Sequence, residues 1–393
     1  MSPIISDLAT IKTLAEKYFN RVVELRRAIH AHPELAYEEE ATARLVRTEL
    51  EHLGWKVLAP MAKTGVVALL ECKQPDLRCI GLRADMDALP IQEQNNCSYA
   101  SVHTGKMHAC GHDAHTANLL GVAMILSELR NELTGTYKLI FQPSEEKMPS
   151  GAAAMIAEGV LLHPKVDKML GWHVHPELQA GEVGFKPGKF MASADEIYLT
   201  VIGKGGHAAQ PHQFISPLII SAEILLALQQ YTDIETPVVL TFGKITADGA
   251  TNVVPEKAYL AGTLRCFDEE QRKAMHEIIQ QTCLSIAQKH NANCEVNIVV
   301  GYPVLVNDEA LTQQCIDLAG EYLGNANVVD LPQRMGAEDF AFYSHHVPVC
   351  FYRVGVGNVA RNIQSPIHSA TFDIDEDALK VNIGLMSWLA VNA

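Results

Sequence analysis

The residues best suited to chemistry lie in MHACGHDAH, positions 107 to 115, which holds His108, Cys110, His112, Asp113 and His115. Thiolate and imidazole are soft and borderline metal ligands, and a Cys-Gly-His turn can bring two of them onto one ion because Gly111 tolerates dihedrals closed to other residues. Taken singly, each His reads better as a surface residue beside a structural Cys, but four ligand-type residues within six positions reverse that preference. The cluster matches neither HExxH nor paired CxxC spacing. A second group is FQPSEEK, 141 to 147. Adjacent carboxylates in extended chain point to opposite sides, so Glu145 and Glu146 are expected to divide, one towards a metal and the other towards a water. A solvated charge pair in a loop is the plain alternative. RADMDALP adds Asp85 and Asp87, GWHVHP adds His173 and His175, and PIHSATFD adds His368.

So many hard and borderline ligands suggest two ions rather than one. Two metals roughly 3.5 to 4 Å apart can share a water, lower its pKa towards about 7 and polarise a carbonyl. A carboxylate outside the coordination shell is then needed to take the water's proton and hand it to a leaving amine. Further along, GKGGHAAQPH (203 to 212) sets His207 in a glycine-rich stretch, where an imidazole could donate to a developing oxyanion, although an ordinary turn fits these residues equally well. Asn252 in GATNVVPE and Arg265 in GTLRCF are polar candidates for substrate binding. Arg265 is the better anchor for a carboxylate because a guanidinium binds it bidentately.

These groups must be positioned by elements the pattern also describes. Two helices are expected from 6 to 53, joined at His32-Pro33 and stopped by Gly54. Apolar runs at 65–71, 79–84, 137–142 and 167–174 alternate with helices near 115–130 and 150–158, which argues for a largely parallel sheet covered on both faces. Asp85 and Asp87, the Glu pair and His173 all fall past the carboxyl ends of such strands, where sites form in open α/β sheets. From 194 the pattern changes: a strand with one solvated face (194–203), a helix (217–231), strands at 237–245 and 258–267, a helix (269–290) and a strand (294–300) give the β-α-β-β-α-β order of a ferredoxin-like unit. A helix near 308–323, a strand at 347–355 and a helix near 375–391 resume the first pattern. The expected organisation is an α/β catalytic domain in two parts, 1–192 and 304–393, interrupted by an inserted lid, 193–303.

With 393 residues, 48% hydrophobic and 20% charged, the chain is long enough for such domains and too ordinary in composition for extended disorder. A net charge of −15 without a Lys/Arg cluster disfavours nucleic acid. No apolar run approaches the 18 or so residues of a membrane span, and the N-terminus shows no basic-then-apolar leader. Nine scattered Cys suit reduced thiols, hence a cytoplasmic location.

The motifs RADMDALPI, KMHACGHDAHTA, FQPSEE, HVHPE, GKGGHAAQPH, TNVVPE, GTLRCF, MGAEDFAFY and HSATFD occur in the order seen in the M20 metallopeptidase family. The chain most resembles its amidohydrolase branch, which holds hippurate hydrolases, auxin-conjugate hydrolases and N-acyl-amino-acid deacylases, and the resemblance runs from about His30 to Asp377. It implies a zinc-peptidase-like catalytic domain with a ferredoxin-like lid. It implies Cys110, His112, Glu146, His173 and His368 as ligands of two divalent ions (Zn, Mn, Co or Ni), Glu145 as general base and Asp87 as the carboxylate that orients a ligand. It further implies His207 as the lid residue that stabilises the oxyanion, reaching across to the other subunit's site in dimeric relatives, and Asn252 and Arg265 as substrate contacts. Two departures, Lys147 where relatives commonly have Gly and Ala370 where Pro often follows His-Ser, bear on substrate preference. The activity so implied is metal-dependent hydrolysis of an N-acyl amino acid, with a homodimer through the lid. A dipeptidase, a carboxypeptidase or an N-acetyl-diaminopimelate-type deacetylase is the alternative on the same scaffold. Rivals from other classes are a non-catalytic metal-binding protein, against which Glu145 speaks, and a Cys110 hydrolase, which a chelator would not inhibit.

Overall fold

Asp7 accepts a bond from the Ala9 amide and so caps the helix Leu8–Ala31, with which the computed structural model begins; it describes residues 7–232 and 237–393. The first six residues, part of the stretch without a leader pattern, lie outside the described residues. The second helix, Glu40–His52, ends as the sequence predicts, with Gly54 at φ +77° and its amide bonded to the Glu51 carbonyl.

The first of two compact units comprises Met1–Gly188, Val306–Pro332 and Phe342–Ala393. Its eight-stranded sheet has the order Lys56–Val57, Val66–Glu71, Thr136–Gln142, Cys79–Asp85, Lys168–Gln179, Val349–Gly357, Val183–Phe185, Val328–Asp330. The four strands from Thr136–Gln142 to Val349–Gly357 run parallel, as do the last two, while Lys56–Val57, Val66–Glu71 and Val183–Phe185 join their inner neighbours antiparallel. Every residue of Cys79–Asp85, Thr136–Gln142 and Val349–Gly357 is buried, which is why these strands read as continuous apolar runs rather than alternating ones. Leu8–Ala31, His112–Leu129 and Asp377–Asn392 pack on one another, and the middle helix is buried almost all round. Inside that core Tyr352 donates to Asn382 Oδ1 (2.7 Å) and Asn382 donates to Asn118 Oδ1 (3.0 Å), so the polar side chains satisfy each other.

The second unit comprises Lys189–Leu305 and Gln333–Ala341. Its strands, in the order Val238–Thr246, Lys257–Cys266, Asp195–Ile202, Asn293–Val300, pair antiparallel throughout. With helices Pro217–Gln229 and Glu269–Lys289 between them, this is the connectivity and strand order of a ferredoxin-like unit. Ile197, Leu199 and Val201 face a core with Ile220, Ile224, Ile279 and Cys283, while Glu196 is exposed, as the period-2 pattern requires.

The second unit differs from the expected 193–303 at both bounds, Lys189 and Leu305, and by one further segment. Gln333–Ala341 clusters with the second unit, where the Ala192 amide bonds to the Arg334 carbonyl (3.1 Å), although the sequence pattern assigns it to the later catalytic part. The nine cysteines are free; Cys72 and Cys97 are half-buried and the other seven are buried. Among the described residues no helix is long and apolar enough to cross a membrane.

Candidate metal centre and catalytic loop

Helix His112–Leu129 starts three residues earlier than the pattern predicts, because Gly111 takes φ +82° and turns the chain straight into it. A Cβ on Gly111 would come within 2.6 Å of Val174, so both the dihedral and the space demand glycine. The turn sets Cys110 and His112 on either side of it, both buried. The Cys110 thiol lies 3.3 Å from His173 Nε2. His173 donates through Nδ1 to the Val174 carbonyl (2.8 Å), which leaves Nε2 directed at the cluster. His173 stands inside the strand Lys168–Gln179, not past its end, but the ladder to Cys79–Asp85 stops at Arg83 opposite Gly171, two residues before His173.

The carboxylate pair is the second departure. Glu145 and Glu146 do not diverge: His112 Nε2 is 4.0 Å from Glu145 Oε2 and 3.9 Å from Glu146 Oε1. The cause is Ser144, which takes φ +50° and breaks the alternation an extended chain would impose. Asp87 holds the bend, accepting the Glu145 amide on Oδ1 and the Glu146 amide on Oδ2, each at 2.9 Å. The same Oδ1 is 3.3 Å from His112 Nδ1, so one carboxylate faces both His112 and the loop beside it. His368, itself at φ +62°, brings Nε2 to 3.1 Å from Glu146 Oε1.

Three donor sets therefore converge, each with atoms within 4.8 Å of one another: Cys110, His112 and His173; Cys110, Glu146 and His368; His112, Glu145 and Glu146. Cys110 belongs to two of them. Asp85 and His115, ligand types from the same motifs, are already committed. Asp85 accepts from Arg83 Nη1 (2.7 Å) and pairs with His115 Nδ1 (2.6 Å), and His115 Nε2 accepts the Val174 amide (3.0 Å). That leaves His115 no nitrogen for a metal.

The electrostatics ask for a cation. His112 is fully buried; its Nδ1 faces Asp87 Oδ1 at 3.3 Å, and its Nε2 has no hydrogen-bond partner. Burial opposes its protonation, yet Asp85 and Asp87 outweigh burial and push its pKa up to about 10. The Cys110 thiol is held far above its ordinary value by burial and then by Glu146 and Glu145. A thiol among carboxylates, beside a His173 ring kept neutral by burial and the nearby Arg353 charge, is the reverse of an activated nucleophile. A divalent ion would satisfy His112 and stabilise the thiolate at once, so the residues fit a metal centre.

Composition and spacing did not single out the supports behind this centre. Arg26, buried, donates to Asp113 Oδ2 (2.7 Å), which also meets His30 Nδ1 (2.7 Å), and these fix the helix turn that carries His112. Glu39, also buried, accepts the Ser144 amide (3.0 Å). Both partnerships cross long stretches of sequence and leave no local signal.

In the second unit, taken by itself, His207 and Asn252 come together. Gly206–His207 pairs with Val253–Val254, the Ala208 amide bonds to the Asn252 carbonyl (3.0 Å), and His207 and Asn252 are exposed. Arg265 lies elsewhere, half-buried on Lys257–Cys266, bonded to Thr263 Oγ1 and opposite Val239.

Comparison with known proteins agrees with this geometry. N-acetylcysteine deacetylase of Bacillus subtilis (strain 168) is 37% identical over 384 residues, covering 96% of this chain and 98% of that one. IAA-amino acid hydrolase ILR1-like 4 of Arabidopsis thaliana is 38% identical over 388 residues, covering 96% and 87%. Among solved structures, the YXEP protein of Bacillus subtilis, described as a dinuclear metal-binding peptidase of the M20 family, matches with TM-score 0.84 at 35% identity over 96% of this chain and 98% of that one. The profile of peptidase family M20/M25/M40 spans residues 81–391, and with these relatives it shows that the chain belongs to that family.

Proposed function

We propose that the protein hydrolyses the amide bond of N-acyl amino acids, releasing a carboxylic acid and a free amino acid, with two divalent ions held by Cys110, His112, Glu146, His173 and His368. The observation that carries this is Cys110's membership of two ligand sets beside a further carboxylate, Glu145, in a bend that Asp87 fixes. When bound, the ions polarise the amide carbonyl and acidify a water. Glu145 takes a proton from the water as its oxygen adds to the carbonyl carbon, and returns that proton to the amine as the C–N bond breaks. His207 donates to the developing oxyanion, Arg265 anchors the substrate's carboxylate, and Asn252 is a separate substrate contact. The substrate class rests on similarity to proteins named for deacetylation of N-acetylcysteine and hydrolysis of IAA-amino acids.

The test is a panel of N-acetyl, N-benzoyl and indoleacetyl amino acids assayed with metal-reconstituted enzyme against dipeptides. Faster cleavage of dipeptides than of every N-acyl amino acid would replace this reading by the dipeptidase alternative. Glu145→Gln is expected to lower kcat by about 10²- to 10⁴-fold with both ions retained; near-normal turnover at full metal occupancy would remove the general-base assignment.

A homodimer through the second unit is part of this reading. Leu218, Ile219 and Leu226 on Pro217–Gln229 are 44%, 64% and 74% exposed, and Val238–Thr246 is an edge strand beside that helix. Leu226→Asp is expected to shift the mass measured by light scattering from dimer to monomer. The free thiols suit a reducing, cytoplasmic location.

A further inference from the structure

Glu39 occupies the N-cap position of Glu40–His52, yet its side chain makes no capping bond to that helix. Glu34 does that work instead, accepting the Ala41 and Thr42 amides at 2.9 Å each. The Glu39 carboxylate is turned inward and completely buried. Its Oε1 accepts the amides of Tyr37 (2.9 Å) and Ser144 (3.0 Å), and its Oε2 accepts the Thr64 hydroxyl (2.6 Å). With the two bonds to Asp87, the three consecutive amides of Ser144, Glu145 and Glu146 are all directed at two buried carboxylates.

Ser144 needs holding. A non-glycine residue in the left-handed region is intrinsically disfavoured and persists only where its surroundings impose it. Released, it would relax to extended chain, where Glu145 and Glu146 would point to opposite sides. The rest of the loop leans on the same residue: the Ser144 hydroxyl donates to the Lys147 carbonyl (3.0 Å), and its carbonyl accepts the Gly151 amide (2.9 Å). Gly151 permits this closure, since a Cβ there would overlap the Pro143 carbonyl. Asp87 grips the two residues after the bend, and Glu39 is the buried carboxylate that grips Ser144 itself.

We propose that Glu39 is a positioning residue for catalysis: its buried carboxylate fixes Ser144 in the left-handed conformation and thereby aims Glu145 at the reacting water. This rests on the reading of Glu145 as general base. Three donors and no acceptor converge on Glu39, so reach and acceptor geometry matter rather than charge. A glutamine can keep both amides on one oxygen and donate its amide to Thr64; an aspartate keeps the charge but is one methylene short.

The experiment compares Glu39→Ala, Glu39→Gln and Glu39→Asp in the metal-loaded enzyme, alone and in a Glu145→Gln background, reading kcat, KM and bound metal. Glu39→Ala is expected to lower kcat by about 10- to 100-fold, the range for a misplaced catalytic group, with KM within twofold and both ions retained. Glu39→Gln should recover most of kcat and Glu39→Asp should not. In the Glu145→Gln background, Glu39→Ala should add less than a twofold loss, because residues acting through one group are non-additive. Losses that multiply in that background, or an aspartate that rescues where glutamine fails, would overturn the proposal. If Glu39→Ala does not fold, the Gln and Asp variants decide alone. Undiminished turnover of Glu145→Gln by itself would instead sink the general-base reading, a failure distinct from that of Glu39.

Discussion

The loop at 143–151 and the ladder of Gly206–His207 with Val253–Val254 place candidate catalytic groups in opposite ways. In the loop, the amides of Ser144, Glu145 and Glu146 are bonded to buried carboxylates, and the Glu145 and Glu146 side chains face a fully enclosed histidine. In the ladder, His207 is exposed, and its ring makes one local bond, accepting the Ala209 amide at 3.1 Å. The proposed ion ligands are locked by a polar network whose members cannot be replaced singly, whereas the proposed oxyanion donor is left accessible.

Removing metal separates the two regions most sharply. Dialysis against a chelator is expected to lower activity by roughly 10³-fold or more, with recovery on adding Zn²⁺, Mn²⁺ or Co²⁺. It should leave the second unit's hydrogen-exchange protection unchanged, and a chelator-resistant enzyme would break the comparison at its root. Next in size, His207→Ala should lower kcat by about 10²- to 10³-fold, as for loss of one oxyanion donor, with the melting temperature unmoved. A shifted melting temperature would show that the exposed ladder is a structural element after all.

The second unit does have a locked network of its own, and it sets the third effect. Asp195 accepts from Arg272 Nε (2.9 Å), from the Gly301 amide (2.9 Å) and pairs with His276 Nε2 (2.6 Å). Arg272→Met leaves that buried carboxylate uncompensated and should destabilise this unit by about 3 kcal/mol in chemical denaturation. Burial would raise the Asp195 pKa, but Arg272 and the Gly301 amide hold it below its ordinary value near 3.8. A depressed folded-state pKa adds stability that is fully present above that ordinary value and lost as the pH falls through the lower one. Acid unfolding of this unit should therefore begin below about pH 4 and become shallower in Asp195→Asn. The smallest expected effect is on metal affinity: Asp87→Asn should weaken it by about 10- to 100-fold, read by competition with a chromogenic chelator.

How much of this was legible in the sequence depends on where the partners lie. The alternation of Ile197, Leu199 and Val201 disclosed a half-solvated strand directly, and the continuous apolar runs disclosed buried parallel ones. Strands as short as Val183–Phe185 and Val328–Asp330 carry too few residues for any period to show. In the site, Cys110, His112, Glu146, His173 and His368 were conspicuous by residue type, and the structure gathers them. The bend at Ser144 was invisible, because left-handed serine has no signature in residue type and its restraint by Glu39 comes from 105 positions away. The expected divergence of Glu145 and Glu146 failed for that one reason.

The bond from the Gly301 amide to Asp195 joins residues 106 positions apart. It staples the first strand of the second unit to the end of its last, so the stretch 195–301 begins and ends at one point, with the Ala194 amide bonded to the Tyr302 carbonyl (2.9 Å) as a second staple. An insertion with adjoining ends asks little of its host beyond a surface loop. Shortening the stretch between Asp195 and Gly301 to a Gly-Ser turn therefore keeps its two flanks adjacent, while Gln333–Ala341 loses its neighbours in the second unit. Two modules on one chain can thus be exchanged or evolve separately, each keeping its own core.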